Sequence, residues 1–600
     1  MLSSRVDLLS SSVRFSPALL LLVGHLLSSA APSHTLRAED PALSASLRRP
    51  VALQLSADES RLLVANARSG SLSVLDVAAR KVVGEFKIGE QLSDIKRLPG
   101  SNQFAVTDES GHELLIAELR GDQITVLQRI AVARYPVSIT VADEGRRIWV
   151  ASLWSQRLSA VARPSSGEGA AELVAQIDLP FAPRCQVLVE NGKRLIAADA
   201  FHNRLAVIDA ERAALMHVRS FPSHNMRGLG LNADGTKLLV AHQMLNELAH
   251  TTNNDVHWGL LMSNDLRWLP LASVLSPDVD LYRGAHMHPL GSAGNATGDP
   301  SGLCVTSQGL VIVTLGGVGE VAIGTENDFN LHRLTAGRRP TAVIATQAGD
   351  RAFVANTLGD SISVIDLGKR DVEPEISLGA VRDLTLAERG EFLFYDATLS
   401  HDGWMSCHSC HTDGHANSLL NDNFSDDSFG APKRVLSLLG VRETTPLAWN
   451  GTVAALADQV RNSIVNTMQG DEAPSDRQVQ AMVAFIHTLE PPPPLDATRQ
   501  NRDSAQVARG AALFEALQCD RCHAPPTYTT PGTYDVGIHD KQGNTKFNPP
   551  SLRGVSQRGP YFHDNRAVTL EDVFRQEGHQ LDRGLEDREL AELLAFLRSL

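Results

Sequence analysis

The segment VALQLSADESRLLVANARSGSLSVLDV, residues 51–77, returns as TAVIATQAGDRAFVANTLGDSISVIDL at residues 341–367. Both copies contain V-A-N, a polar turn and then S-[LI]-S-V-[LI]-D, and weaker copies begin near residues 137, 185 and 229. Equivalent strand ends at Asp76, Glu118, Val161 and Asp209 are 42, 43 and 48 residues apart. Short alternating strands with a period of about 40–45 residues indicate propeller blades. We therefore predict an all-β propeller over residues 46–380 with about seven blades, starting near residues 50, 92, 135, 183, 226, 300 and 340.

The repeats resemble the YVTN-type repeats of bacterial surface and periplasmic propellers, and this resemblance specifies the fold better than the function. Between about residues 245 and 299 the repeat is interrupted, which predicts an insertion. Four histidines lie in it: His250, His257, His286 and His288. A surface loop or lid is the favoured interpretation, and a metal site that uses His286 and His288 is the alternative.

The first 30 residues have the pattern of a secretory signal. Arg5 and Arg14 precede a short apolar run at residues 15–27, and small residues follow it in SSAAPS. The alternative is an uncleaved anchor. The net charge of −14, with no concentrated basic face, argues against a nucleic-acid partner. We expect an exported protein of the periplasm or cell surface, with no integral membrane segment after cleavage.

After Gly379 the sequence becomes helical and repeats a second time. RGEFLF at residues 389–394 matches RGAALF at 509–514, and SDRQVQAMVAFIHTL at 475–489 matches EDRELAELLAFLRSL at 586–600. We predict two all-α cytochrome c-like domains, here called domain 1 (residues 381–490) and domain 2 (504–600). A proline-rich linker, residues 491–503, joins them.

Each helical domain contains one C-x-x-C-H motif, formed by Cys407, Cys410 and His411 and by Cys519, Cys522 and His523. Two thiols at this spacing bind a porphyrin covalently, and the adjacent imidazole reaches the iron. A zinc site or a redox dithiol is the alternative. Asp413 and His415 could complete a zinc shell after the first motif, whereas no equivalent set follows the second. The sequence thus predicts two covalent haems c, with His411 and His523 as proximal ligands.

The sixth iron ligands are sought by aligning the two copies of the helical domain. The offset of 111 residues that relates residues 475–489 to 586–600 also aligns Met468 with His579, and thioether and imidazole are both common axial ligands. Both residues are candidates; alternatively Met468 packs in the core and His579 faces solvent. His415 is a third candidate, although it is close to His411 in sequence.

Residues 389–600 resemble the bacterial di-haem cytochrome c peroxidases, which include the MauG group. This resemblance implies a peroxidatic haem and an electron-transfer haem, often with calcium between the domains. It also implies that Trp449 is an electron bridge between the haems, that Gln459 lies near the peroxide pocket and that His563 lies near the second haem. The motifs that carry it are RGEFLFYDATLSHDGWMSCHSCH, PLAWNGTVAALADQVRN, RGAALF with CDRCH, and SLRGVSQRGPYFHDNRAVTLEDV.

Two departures from the family pattern bear on activity. Thr467 stands where the family has an acid before Met468, and the expected distal histidine is absent from NDNFSDDSFGAPK, residues 421–433. An acid–base group contributes on the order of 10²–10⁴ in rate, so these departures argue against efficient peroxide turnover. We predict an exported di-haem oxidoreductase that reacts with peroxide or oxidises a partner substrate. Its electron donor would be a small redox protein or a quinol-linked carrier. The alternative is a non-catalytic electron carrier with the propeller as docking module.

Overall fold

The computed structural model describes residues 46–164, 169–424, 428–501 and 503–600. The predicted signal segment, residues 1–30, lies outside these ranges. Among the described residues, none of the helices combines the length and the apolar character needed to cross a membrane.

Residues 50–377 form seven four-stranded antiparallel sheets, in each of which the strands pair in chain order. The seven-bladed propeller predicted from the repeats is confirmed. The strands of blades one to four are β1 Pro50–Leu55, β2 Arg61–Asn66, β3 Ser71–Asp76, β4 Lys81–Lys87; β5 Leu92–Arg97, β6 Gln103–Asp108, β7 Glu113–Arg120, β8 Gln123–Ala131; β9 Pro136–Ala142, β10 Arg147–Ser152, β11 Arg157–Ala162, β12 Glu172–Asp178; β13 Pro183–Val189, β14 Arg194–Asp199, β15 Arg204–Asp209, β16 Ala214–Ser220. Those of blades five to seven are β17 His224–Leu231, β18 Lys237–Leu245, β19 Met262–Pro270, β20 His286–Pro289; β21 Pro300–Val305, β22 Val311–Leu315, β23 Glu320–Gly324, β24 His332–Thr335; β25 Pro340–Ala345, β26 Arg351–Asn356, β27 Ser361–Asp366, β28 Asp371–Ser377.

The V-A-N…S-x-S motif of the repeat fixes the turn between the second and third strands. In blade one the amide nitrogen of Asn66 donates to the hydroxyls of Ser71 and Ser73 at 3.0 and 2.9 Å. Asn356 makes the same pair of bonds in blade seven, to Ser361 and Ser363. Serines two apart on a strand share one face, so a single buried amide can bind both. The repeated sequence is therefore a repeated hydrogen-bond network.

The ring of blades closes by packing. Leu53, Leu62 and Val64 of blade one pack against Phe353 and Ile362 of blade seven. The chain before β1 adds hydrogen bonds, because the backbone N–H groups of Arg48 and Arg49 each donate to the carboxylate of Asp360 at 2.8 Å. Blade seven is therefore tied to the start of the propeller without exchanging a strand.

The interval 245–299 differs from the expected insertion. It supplies β19 and β20, the third and fourth strands of blade five, together with helices α1 (Asn253–His257) and α2 (Leu271–Leu275). The period is hidden because residues 246–261 link the second and third strands, where blade one needs only residues 67–70. The segment 246–261, here called the blade-five loop, packs on domain 1, where Trp404 donates from its indole nitrogen to the carbonyl of His257 at 3.1 Å.

The region after the propeller contains short helices and two small hairpins. They are α3 Leu386–Phe394, α4 Cys407–Cys410, α5 Leu456–Asn462 with a π-helical turn Ser463–Thr467, α6 Asp476–Ile486, α7 Leu495–Arg499, α8 Ser504–Ala516, α9 Leu570–Arg575, α10 Asp587–Ser599, β29 Leu420–Asn421 with β30 Lys433–Arg434, and β31 Tyr534–Asp535 with β32 Lys546–Phe547.

The R-G-x-x-L-F repeat places one close helix crossing in each helical domain. A Cβ atom at Gly390 of α3 would overlap the carbonyl oxygen of Ala481 in α6, and one at Gly510 of α8 would overlap that of Glu592 in α10. The phenylalanine of each motif, Phe394 or Phe514, meets a phenylalanine of the partner helix at a centroid distance of 5.2 Å. The glycine in each copy therefore lets the two helices approach closely. The two copies of the motif form the same helix crossing in the two domains.

The first C-x-x-C-H turn is docked on the propeller. The hydroxyls of Ser406 and Ser409 donate to the two carboxylate oxygens of Asp299, just before β21, at 2.6 and 2.7 Å. The ring of His224 at the start of β17 contacts the carbonyl of Ser409 at 2.9 Å. Asp413 pairs with Arg184 of β13 and Arg227 of β17. The propeller is thus part of the frame that holds the first motif.

Replacement of Asp413 by asparagine is expected to weaken this docking. Burial raises the pKa of Asp413, but Arg227 and Arg184 outweigh it and hold the pKa well below its usual range. Loss of the charge removes the carboxylate that contacts both Arg184 and Arg227. Breaking a buried pair costs about 3–5 kcal/mol, and we expect about 2–3 kcal/mol here because the Asp413 side chain is 26% exposed. Calorimetric unfolding of the holo-protein measures this loss, with the exposed Asp582→Asn as control. Equal transition temperatures for the two variants would contradict it.

Candidate haem sites

The first motif forms a single helical turn that presents both thiols to one cavity. Cys407 and Cys410 are three residues apart on α4, so they share a face, and both are free thiols that line the cavity with His411. Burial raises the pKa of each thiol to about 12, which keeps both neutral. Two neutral thiols and an imidazole facing one mostly apolar space fit a covalently attached porphyrin.

His411 is held as a neutral imidazole. Burial lowers its pKa to about 4, against a smaller opposite effect from the backbone of Leu436 and His415. Its Nδ1 atom is buried without a hydrogen-bond partner in the described structure. A neutral ring that lines the cavity is the form in which histidine binds iron.

Three predicted residues of domain 1 line the same cavity as the first motif: Trp449, Gln459 and Met468. Gln459 lies on α5, where its amide nitrogen donates to Ser463 at 3.2 Å and its Oε1 atom is buried without a partner. Met468 follows the π-helical turn Ser463–Thr467 and is 4% exposed. Single π-helical turns are frequent at functional sites, because they shift the side chains that follow.

Trp449 lies at the boundary between the two helical domains. Its indole nitrogen donates to the carbonyl of Arg434 at 2.8 Å, and its own carbonyl accepts from the backbone N–H of Asn548 in domain 2 at 2.7 Å. The ring of His563 lies 6.2 Å away, stacked in turn on Phe547 at 4.5 Å. The predicted bridge residue and the predicted second-haem histidine are therefore neighbours.

The second motif has its imidazole oriented by a backbone carbonyl. Nδ1 of His523 lies 3.1 Å from the carbonyl oxygen of Tyr528 and donates to it, which leaves the lone pair on Nε2. Cys519 and Cys522 are free. Burial lowers the pKa of His523 to about 4, and His579 is close enough to contribute to that shift. The assignment of His579 as the sixth ligand of the second site stays a prediction.

The two sites are adjacent. Residues 548–551 of domain 2 line the first cavity. Within them, the backbone of Pro550 also acts on the imidazole of His523, raising its pKa slightly against the effect of burial. The segment 548–551 thus lines the first cavity and also acts on the second proximal histidine.

The residues weighed as zinc ligands are engaged elsewhere. Asp413 faces the propeller arginines, and His415 uses both ring nitrogens, which lie 2.9 Å from the hydroxyl of Ser437 and 2.9 Å from the carbonyl of Gln557. This also removes His415 as a sixth ligand. In β20, Nδ1 of His288 accepts from Trp268 at 2.9 Å and its Nε2 contacts the carbonyl of Asp328 at 2.8 Å, so it has no nitrogen left for a metal.

The sequence did not point to the propeller residues that hold the first motif. Asp299, Arg184 and Arg227 lie at or near the starts of innermost strands of three different blades. One weak signal was present: Asp299 precedes Pro300 at the point where the repeat resumes. Nothing in one sequence pairs that position with a serine more than a hundred residues later.

These features define a seven-bladed propeller followed by a helical region with two motifs for attached haem. Residues 385–491 match the family described as di-haem cytochrome c peroxidase. Cytochrome c551 peroxidase of Nitrosomonas europaea is 27% identical over 273 residues, covering 36% of this chain and 79% of that protein. Methylamine utilization protein MauG of Methylophilus methylotrophus is 25% identical over 281 residues, covering 36% and 82%. Hydrazine synthase of Kuenenia stuttgartiensis is a solved structure with 19% identity and a TM-score of 0.47, covering 54% of this chain and 97% of that one.

The C-terminal region is therefore similar to the di-haem cytochrome c peroxidases and MauG proteins, as the motifs predicted. In this chain the C-terminal region follows a propeller. Its similarity to these proteins supports the function of a di-haem oxidoreductase.

Proposed function

We propose that this protein is an exported di-haem c oxidoreductase in which electrons pass between the two haems and the first haem reacts with peroxide or with an oxidisable partner. One observation carries the proposal. The first C-x-x-C-H turn, Trp449 and Gln459 line one cavity, and so does the segment 548–551 of domain 2, whose Pro550 backbone also acts on His523.

Bound haem c supplies a redox-active iron for one-electron transfer and, where one axial position is open, for reaction with peroxide. The protein's own residues divide the remaining tasks. The four motif cysteines anchor the two groups, and His411 and His523 provide neutral imidazoles. Trp449 fills the boundary between the sites with an indole whose nitrogen is fixed on the carbonyl of Arg434.

Gln459 is the polar group placed to orient an oxygen ligand in the first cavity. Its buried Oε1 atom lacks a partner in the described structure and can accept a hydrogen bond. An amide cannot take up or release a proton at neutral pH, however, and Thr467 stands where the family has its acid. Since acid–base assistance contributes on the order of 10²–10⁴ in rate, we expect slow peroxide turnover and favour oxidation of a partner.

The second candidate function is a non-catalytic electron carrier, and the position of Met468 favours it. The Met468 side chain lines the same cavity as His411. If its sulfur occupies the sixth position, the first haem is closed and the propeller serves as the docking module. Electrons would then come from a small redox protein or a quinol-linked donor in the periplasm or at the cell surface. Calcium between the domains stays a prediction.

The ferric spectrum and a peroxide titration of wild type and Met468→Leu separate the two functions. We expect a high-spin ferric haem that responds to peroxide, and an unaltered spectrum in Met468→Leu, because the proposed function needs an open first haem. Met482→Leu, which also alters the cavity lining, controls for packing. Loss of a low-spin signal with a lower potential in Met468→Leu alone would establish ligation and the carrier function.

Replacement of Trp449 by phenylalanine is expected to slow electron passage between the haems while both haem spectra stay intact. The variant loses the indole and its bond to the carbonyl of Arg434, at a cost of about 1 kcal/mol, so the chain still folds. Flash or stopped-flow reduction, monitored at the two haems, measures the rate. Phe547→Leu, which removes the ring stacked on His563, is the matched control, and unchanged kinetics in Trp449→Phe would make Trp449 a packing residue.

A further inference from the structure

A cluster of two histidines and one aspartate lies where the blade-five loop meets domain 1, outside both haem sites. His257 ends α1 in that loop, and His401 and Asp402 precede the first motif. Nδ1 of His257 is 3.2 Å from Nε2 of His401 and 2.8 Å from Oδ2 of Asp402, and the latter two atoms are 3.5 Å apart. Three possible ligand atoms from two parts of the fold thus form a small triangle.

The size of the triangle suits one metal ion. Zinc binds imidazole nitrogen and carboxylate oxygen at about 2.0–2.2 Å, which places tetrahedral ligands roughly 3.3 Å from one another. The three separations of 2.8, 3.2 and 3.5 Å bracket that value. The side chains of His257, His401 and Asp402 are 35, 18 and 18% exposed, so an ion can enter from solvent and retain an open fourth position.

The neighbours of the triangle orient its donors. Nδ1 of His401 donates to Oδ1 of Asp471 at 2.7 Å, which leaves the lone pair of Nε2 directed at the other two groups. The carboxylate of Asp402 also accepts from the backbone N–H of Gly294 at 3.0 Å. Asp402 itself has a φ of 58°, in the left-handed region that costs most residues about 1–2 kcal/mol. Carboxylate-oriented histidine and local strain are both common at functional sites.

We propose that His257, His401 and Asp402 bind a divalent transition metal, with zinc as the ion that best suits two imidazoles, one carboxylate and an open position. Asp471 is a positioning residue that orients His401. The ion would clamp the blade-five loop to domain 1 beside the first haem cavity, because the backbone N–H of His401 donates to the carbonyl of Met468 at 3.1 Å. The site stands whether or not the proposed function is correct.

Equilibrium dialysis of the untagged holo-protein against zinc chloride, after treatment with a chelator, tests the site. Bound zinc is counted by mass spectrometry, which separates it from haem iron. We expect one zinc per chain in wild type, and at least tenfold weaker binding in His257→Ala, in His401→Ala and in Asp402→Asn. Asp402→Asn retains a residue type that tolerates the left-handed backbone. Asp471→Asn should weaken binding by roughly 10–100-fold, as for other residues that orient a metal ligand.

His332→Ala, which removes an exposed histidine of β24, is the matched control and should bind zinc like wild type. Hydrogen exchange gives a second measurement: zinc should slow exchange in residues 246–261 of wild type and leave it unchanged in His257→Ala. Absence of stoichiometric zinc in wild type, or full binding by His257→Ala, would overturn the proposal and leave a hydrogen-bond network between the two histidines and Asp402.

Discussion

A chain in which Cys407 and Cys410 are both replaced by alanine is expected to carry one covalent haem instead of two. The two thiols line the first cavity and are the proposed attachment points, and the described structure places no other cysteine among the lining residues. His411 alone can bind iron but cannot hold the porphyrin covalently. The variant should also unfold at lower temperature, because an emptied apolar cavity loses the contacts that a bound group provides.

The pyridine haemochrome assay, scaled to protein concentration, measures the loss, and the mass of the denatured chain reports covalent attachment directly. The matched control replaces Cys185 and Cys304 by alanine. These are the two free cysteines of the propeller, on β13 and β21, and the control should keep both haems. Two covalent haems in the Cys407/Cys410 variant, or zinc in their place in wild type, would refute the reading of the motif.

The propeller could be predicted because the pattern of its repeat is local, and it is strongest in blades one and seven. Asn66 and its two serines lie within one turn of chain, so the pattern is visible in a window of ten residues. Blade five was harder to predict because its repeat is not local. Its second and third strands pair normally, but residues 246–261 separate them, and the period of the sequence no longer reports the period of the structure.

In the helical domains, too, short motifs could be predicted from the sequence and long-range contacts could not. The C-x-x-C-H motifs and the R-G-x-x-L-F repeat are short-range and were found directly, whereas the helix crossings at Gly390 and Gly510 join segments that are distant in the sequence. The contacts of Asp299 with Ser406 and Ser409 join segments 107 and 110 residues apart. The same holds for His257 with His401 and Asp402, at separations of 144 and 145 residues. Such long-range pairs depend on how domain 1 docks on the propeller, which no motif in one sequence encodes.

Substitution of His579 is expected to have the largest effect on the spin state and reduction potential of the second haem. His579 packs edge-on against Phe562 at 5.4 Å, and burial lowers its pKa, so it is held as a neutral imidazole. We therefore predict a bis-imidazole second haem of low potential. His579→Ala should convert it from low spin to high spin, and His579→Met should keep it low spin and raise its potential, because a thioether favours ferrous iron.

The two substitutions test the same bond in opposite ways. Alanine removes the ligand, whereas methionine replaces it, and a rise on the order of 0.1 V lies well inside the roughly 0.8 V range that axial ligands set. Electron paramagnetic resonance of the ferric protein and a potentiometric titration provide the two measurements. His539→Ala, an exposed histidine of the same domain, is the control and should leave both unchanged. A low-spin second haem of unaltered potential in both His579 variants would mean that another side chain is the sixth iron ligand. The alignment of the two helical domains would then identify the proximal ligands but not the sixth ligands.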